Sequence, residues 1–413
     1  MTSRAFNLVR RAATAAIAAA LTLGPLPAAA FETEAGSAWV IDHNTGQVLL
    51  SHNAEVPLPP ASMSKLMTLL MTFEALDDGR LTLDTRLPVS EHAMSFGGST
   101  MFLNTADRPT VEELIRGVVV VSGNDASVVL GEALSPDGTE AGFGRIATQR
   151  ARQLGMEQTV LLNASGWPAE GHVMSMRDLG ILSERIITEH PEYYTYFAET
   201  EFDYEDRAPA NRFNRNPILG MGLGADGLKT GHTQEAGYGL AGSAVQGDRR
   251  VTFVISGLDS AAARARESER ILNWAFRQFV MQQVVSAGVD VARAPVFMGA
   301  TDSVGLAPAE SVEMLVPALL DPEISAEIVY DSPLPAPIAA GDVVGELVIH
   351  QGVRDVSRSV PLVATEDIAR GGLTVRVRTA AARVLDEVMA RVGGAGPEPE
   401  AEAEAGTTTA ADG

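Results

Sequence analysis

The chain contains only two lysines, Lys65 and Lys229, among 31 lysines and arginines. Lys65 sits in ASMSKLMT, three residues after Ser62. If Ser62 opens a helix, Lys65 stands one turn on, on the same face. A serine hydroxyl is a weak nucleophile until a neighbouring base takes its proton. A lysine becomes such a base when burial, a nearby positive charge or the positive end of a helix drives its pKa down. Arginine stays protonated under all three influences. The spacing therefore points to nucleophilic catalysis, with Ser62 as nucleophile and Lys65 as base, although S-x-x-K alone is a weak signal.

Two other segments strengthen it. GLKTGHT puts Lys229, Thr230 and Gly231 on a strand, followed by His232. A strand edge of that composition suits an extended peptide bound by strand addition. Its glycine allows close backbone approach and its lysine offers charge to a carboxylate. VVVSGNDAS puts Ser122 and Asn124 between helical segments. The hydroxyl can relay a proton and the amide can hold Lys65. The order S-x-x-K, S-x-N, K-T-G is the motif set of the penicillin-recognising serine enzymes.

The elements that must bring these motifs together can be read from pattern. Residues 38–51 are two apolar runs around a turn and predict a β-hairpin. Ser62 to Leu76 is apolar on nearly every side, without Gly or Pro, and predicts a buried central helix. Further helical patterns cover roughly 110–120, 124–134, 139–154 and 175–189, and Ser175 with Asp178 resembles a helix start. After residue 226 come three consecutive antiparallel strands, then an amphipathic helix over 263–280. Strands thus flank a helical middle, so the terminal segments are expected to share one sheet.

From about 286 the composition turns to short Val-rich runs, predicting a separate small β-rich domain over 286–374. Residues 375–392 can form an amphipathic helix, and the acidic tail over 393–413 lacks large apolar residues and reads as disordered. At the other end, residues 1–30 carry Arg4, Arg10 and Arg11, an alanine-rich apolar run and small residues at Ala28 and Ala30, which reads as a secretory signal peptide. Its removal takes away basic residues and no acid, making the formal net charge of −22 more negative still. Such a charge disfavours binding to nucleic acid or anionic lipid. With no cysteine, a disulfide scaffold, a thiol nucleophile and a cysteine-ligated metal are excluded.

Over about 34–283 the wording PASMSKLMT, MFLNTADRPTVEELIRGVVVVSGNDAS, GLKTGHTQEAGYGLAGSA and ARESERILNWAF closely resembles the low-molecular-weight penicillin-binding proteins, specifically the D-alanyl-D-alanine carboxypeptidases of the S11 peptidase family. The resemblance implies an α/β (α+β) transpeptidase-like catalytic domain, spanning 31–283, with an antiparallel sheet and a helical subdomain. A β-rich domain and an anchoring amphipathic helix would follow. It implies removal of the terminal D-alanine from peptidoglycan pentapeptides, acylation by β-lactam antibiotics, no cofactor or metal, and a site outside the cytoplasmic membrane, with 375–392 as a contact to its outer face.

By the same resemblance, Ser62 attacks the penultimate D-alanine carbonyl, Lys65 is the base, and Ser122 returns a proton to the leaving amine. Asn124 orients Lys65 and the substrate amide. The backbone N–H groups of Ser62 and His232 form the oxyanion site. Lys229, Thr230 and Gly231 border the pocket for the terminal carboxylate, with Arg264 as a further carboxylate ligand and Arg215 at a second family arginine position near the site.

Several other patterns lead elsewhere. Gly222, Gly224 and Gly227 spell G-x-G-x-x-G, but a strand follows where a dinucleotide site needs a helix. Leu228 stands where a phosphate-binding loop needs glycine before Lys229. The seven histidines show no zinc-peptidase spacing, and His172 falls on a loop, bordering the site or simply solvated. The alternatives are a β-lactamase, which would need a deacylating glutamate in an E-x-x-L-N loop that 160–180 lacks, and a non-catalytic binder of peptidoglycan peptides.

Overall fold

The computed structural model describes residues 31–207, 209–318, 324–351, 356–375, 377 and 381. The segments expected as a signal peptide and an acidic tail, and nearly all of the helix expected over 375–392, lie outside the described residues. Two compact units divide the chain. The first runs to Val280 and takes back a short stretch from Leu315; the second holds the remainder of the C-terminal part.

The first unit begins with the hairpin of β1 (Ser37–Asp42) and β2 (Val48–His52). Asp42 closes its turn by accepting from the Thr45 backbone and hydroxyl, while Gly46 supplies the positive φ. The helical middle contains α1 (Lys65–Asp77), α2 (Val111–Arg116), α3 (Asn124–Leu134), α4 (Glu140–Gln153) and α5 (Met176–Glu189). Local chemistry sets several starts. Thr110 and Glu113 form a reciprocal capping box on α2, and the Ser175 hydroxyl accepts the Asp178 N–H at α5. The chain then returns as β3 (Ala225–Thr233), β4 (Gly237–Gln246) and β5 (Arg249–Leu258), and ends in α6 (Ala261–Arg277).

The five strands form one antiparallel sheet in the order β2-β1-β5-β4-β3, so N- and C-terminal segments share it through the β1–β5 pairing. Helix α5 packs on β1 and β5, and α6 on β4 and β5. Central strands β4 and β5 are therefore buried residue after residue, without alternation. Helix α1 buries all but three of its residues inside the main apolar cluster, where periodicity has no meaning.

Three elements differ from the sequence expectation. Ser62 lies in a 3-10 turn over Ala61–Ser64, and the α-helix proper starts at Lys65. The helix expected over 110–120 widens after Arg116 into a π-turn, Gly117–Val121. The last helix starts at Ala261, capped by Ser260, and stops at Arg277; Phe279 is already extended.

The second unit is mostly β. Its main sheet has six strands, β6 (Ala292–Phe297), β7 (Ser303–Pro308), β8 (Ile324–Val329), β9 (Leu334–Pro335), β10 (Val343–Gln351) and β11 (Val356–Ala364), in the order β8-β10-β11-β7-β6-β9. Among the described residues, no helix is long and apolar enough to cross a membrane.

Candidate active site

The three motifs converge on one cleft of about 680 Å³ in the first unit. Ser62, Ser122, Asn124, Thr230, Gly231, His232, Arg215 and Arg264 all line it. The turn carrying Ser62 is set by its neighbours. Ala61, immediately before it, is held at φ 48, a strained conformation for a residue with a side chain. Strand β3 packs directly on this turn at Gly231, where a Cβ would lie 3.0 Å from Met63 Cγ and 3.0 Å from the Pro60 carbonyl oxygen. The glycine of K-T-G is thus what lets the strand edge approach the nucleophile turn.

Lys65 is fully buried (0% exposed) in the first turn of α1. Its Nζ lies 2.9 Å from Ser62 Oγ and 2.8 Å from Asn124 Oδ1, and it also bonds the Ser165 carbonyl. The Asn124 amide cannot be reversed, because its Nδ2 donates to the Gly97 carbonyl at 2.9 Å. Two of the three neighbours of Nζ are therefore pure acceptors, and the third is a hydroxyl able to donate. A neutral amine has two N–H donors and one lone pair, and these three partners satisfy it completely. The lysine pKa is pushed down to about 7, first by burial and then by the Arg215 charge, against opposing influences from Asp125 and Glu140.

Ser122 ends the π-turn with φ 61, the left-handed region, and Gly123 and Asn124 then open α3. No side-chain hydrogen bond holds the Ser122 hydroxyl among the described residues, so it is free to serve a bound molecule. Asp125 fixes the opposite lip: its carboxylate accepts from the Met101 and Leu103 backbone N–H groups. The Asn124 N–H donates to the Ser99 carbonyl at 2.7 Å. Gly117 permits this packing, since a Cβ there would collide with the Met101 thioether.

The facing wall is β3, the edge strand of the sheet. Thr230, Gly231, His232 and Thr233 line the cleft, and the His232 ring stacks on Tyr238 with centroids 3.8 Å apart. Lys229 does not line it. Its side chain is buried, and its Nζ reaches the Thr230 carbonyl at 3.2 Å. Burial, followed by the charges of Lys65, Arg215 and Arg264, lowers its pKa well below the ordinary lysine value. Arg215 donates to Ser99 Oγ and the Val121 carbonyl, and Arg264 donates to the Arg215 carbonyl. Neither arginine has an ion-pair partner among the described residues, and burial followed by Arg215 lowers the Arg264 pKa to about 10. Among the described residues no carboxylate lines the cleft. A chain of net charge −22 has gathered unpaired cations around one cavity, which is the electrostatic complement of a carboxylate.

Sequence reasoning missed several neighbours. The Ser165 and Gly97 carbonyls act through backbone atoms and leave no side-chain signal. Tyr238 and Trp167 also line the cleft. His172, expected on a loop as a site-bordering or solvated residue, is 3% exposed. Its Nδ1 accepts the Leu162 N–H at 3.1 Å, and burial first, then Lys65, pushes its pKa down to about 4. Among the described residues no cluster of His, Asp and Glu is arranged to hold a metal ion.

A hydroxyl against a buried amine whose pKa is pushed down to about 7, beside a strand edge and a cationic pocket, defines a serine acyl-transfer site with a lysine base. A family model described as D-alanyl-D-alanine carboxypeptidase matches residues 25–260, and one described as penicillin-binding protein 5, C-terminal domain, matches 279–370. The chain is 34% identical over 343 residues to the D-alanyl-D-alanine carboxypeptidase DacF of Bacillus subtilis, covering 82% of this chain and 87% of the relative. The crystal structure of D-alanyl-D-alanine carboxypeptidase DacD from Francisella tularensis superposes with a TM-score of 0.70 at 28% identity, covering 86% of this chain and 98% of that one. Penicillin-binding protein D2 of Listeria monocytogenes, in its cefotaxime-bound form, gives a TM-score of 0.54 at 31% identity over 60% of this chain and 98% of that one. The chain belongs to the D-alanyl-D-alanine carboxypeptidase family of S11 serine peptidases.

Proposed function

We propose that this protein removes the terminal D-alanine from peptidoglycan pentapeptides through an acyl-enzyme on Ser62. The observation that carries the reading is the contact set of Lys65: one hydroxyl, two carbonyl oxygens and no acid. Ser62 Oγ passes its proton to Lys65 Nζ as it attacks the penultimate D-alanine carbonyl carbon. The developing oxyanion takes hydrogen bonds from the backbone N–H groups of Ser62 and His232. The bond to the terminal D-alanine then breaks, and its nitrogen receives a proton from Lys65 through Ser122. Water hydrolyses the Ser62 ester and restores the free enzyme. Arg215, Arg264 and Thr230 receive the terminal carboxylate, with Lys229 bordering the same pocket.

The test is release of free D-alanine from diacetyl-L-Lys-D-Ala-D-Ala, together with benzylpenicillin labelling mapped by peptide mass. The expected result is D-alanine release and a stable adduct on Ser62, both lost in Ser62→Ala. Rapid turnover of benzylpenicillin would favour a β-lactamase, and binding without D-alanine release would favour a non-catalytic receptor. A cleft without a lining carboxylate supports slow penicillin deacylation. Cell-wall substrate and leader sequence together support an exported, periplasmic enzyme, with residues 375–392 on the outer face of the cytoplasmic membrane. Equal partitioning of the full chain and a chain ending near Gly372 into the membrane fraction would remove that anchor.

A further inference from the structure

Beyond His232 the cleft continues into a small hollow. Its walls include Trp167, Pro168 and His172 on one side, and Thr233 and Glu235 on the other. Trp167 belongs to both spaces. Its indole is 44% exposed, uncommon for so large an apolar group, yet its position is built. Phe96 meets it in a T-shaped contact at 5.7 Å, and Phe96 is in turn met by His92 at 5.1 Å. The Trp167 carbonyl accepts from Asn163 Nδ2, its N–H donates to Ser165 Oγ, and Pro168 follows. Glu235 is exposed and has no ion-pair partner among the described residues.

The cleft is therefore polarised along β3. Unpaired arginines and no acid stand at one end, and an aromatic face with an unpaired carboxylate at the other. A peptide added antiparallel to the β3 edge, with its carboxylate toward Thr230 and the arginines, runs with its N-terminal side toward Thr233 and Glu235. Each residue advances about 3.3 Å. The residue before the two D-alanines thus reaches Trp167, and a long side chain from it reaches Glu235. An indole face beside a carboxylate is the complement of an alkylammonium: the aliphatic stem covers the ring and the charged head meets the acid.

We propose that Trp167 and Glu235 form a subsite for the free amine of a dibasic residue preceding D-Ala-D-Ala, making the enzyme selective for stem peptides in which that amine is unmodified. The inference rests on the carboxypeptidase reading above.

Its test compares D-alanine release from two peptides, Nα-acetyl-L-Lys-D-Ala-D-Ala with a free side-chain amine and its Nα,Nε-diacetyl counterpart. The full chain should show kcat/KM about fivefold to thirtyfold higher for the free amine, with the preference shrinking as salt is raised. W167A and E235Q should each bring the ratio of the two values toward one, and Trp167→Phe, which keeps an aromatic face, should retain most of it. A wild-type ratio near one, or variants that slow both peptides alike and keep the ratio, would overturn the subsite while leaving the carboxypeptidase intact. Absence of D-alanine release from either peptide would instead overturn the underlying reading and the subsite with it.

Discussion

Replacing Lys65 by arginine separates charge from proton transfer. With its pKa at about 7 instead of 10.5, about half of the Lys65 amines are neutral at pH 7, against about 0.03% for an ordinary lysine. That difference spans about three decades of competent base before any geometry is considered. A guanidinium stays charged throughout this range. Loss of a positioned general base costs about 10²–10⁴-fold. Lys65→Arg should therefore acylate with benzylpenicillin about 10²–10⁴-fold more slowly than wild type.

The pH profile supplies the second readout. Below the folded pKa the amine is protonated and inactive, so wild-type acylation should fall about tenfold per pH unit below about 7 and level off above it. Lys65→Arg should be slow and lack this step. Intact-protein mass spectrometry over time, between about pH 5.5 and 8.5, reads both. A thermal melt checks that the larger head is accommodated between Ser62, Asn124 and Ser165, and Lys65→Met repeats the test without any charge. Acylation by Lys65→Arg within about tenfold of wild type, or a wild-type profile flat through pH 7, would refute the neutral-base argument.

Asn124→Asp should set a carboxylate where Oδ1 now lies 2.8 Å from Nζ, raising the lysine pKa by about one to three units. The midpoint of the acylation profile should move to higher pH, and an unmoved midpoint would mean that Asn124 does not face the base. Gly231→Ala should press a Cβ on Met63, Pro60 and Ala61 and shift the strand from the nucleophile turn. A displacement of about 1 Å costs about 10²-fold in kcat/KM, so peptide kinetics should suffer far more than the melting temperature. Arg249→Ala should strip the fully buried Asp42 of the guanidinium that donates twice to its Oδ2, at 3.0 and 2.9 Å, and remove the Arg249 bonds to the Ala275 and Phe279 carbonyls. A loss of about 3–5 kcal/mol in urea unfolding is expected, and a loss below about 1 kcal/mol would show that the pair is not a structural anchor.

How much was legible differs from residue to residue. The S-x-x-K pair could be read because a helical turn is local and three residues set the geometry. The hairpin and the three strands after residue 226 were legible because alternating or continuous apolar runs end at Gly and polar turns. Helix α1 was legible by its lack of periodicity, which only a fully buried helix tolerates. The π-turn before Ser122 was not, because GVVVV is equally apolar in any helical register. The start of α6 was read two residues late, although Ser260 is a recognisable cap. His172 was read as lying on a loop, which does not exclude burial when neighbouring chain covers it.

By itself the sequence determined the inventory of chemistry: a serine with a lysine one turn away, a serine–asparagine pair, a lysine–threonine–glycine strand and a cysteine-free acidic chain. Those facts follow from residue type and short spacing, which covalent geometry converts directly into local structure. The tertiary structure alone decided what makes the inventory work. Burial of Lys65, its two carbonyl acceptors, the cations gathered without an acid, and the indole at the rim all depend on segments tens to hundreds of residues apart. A pKa and a cleft polarity are properties of an environment, and no environment exists until the chain has packed.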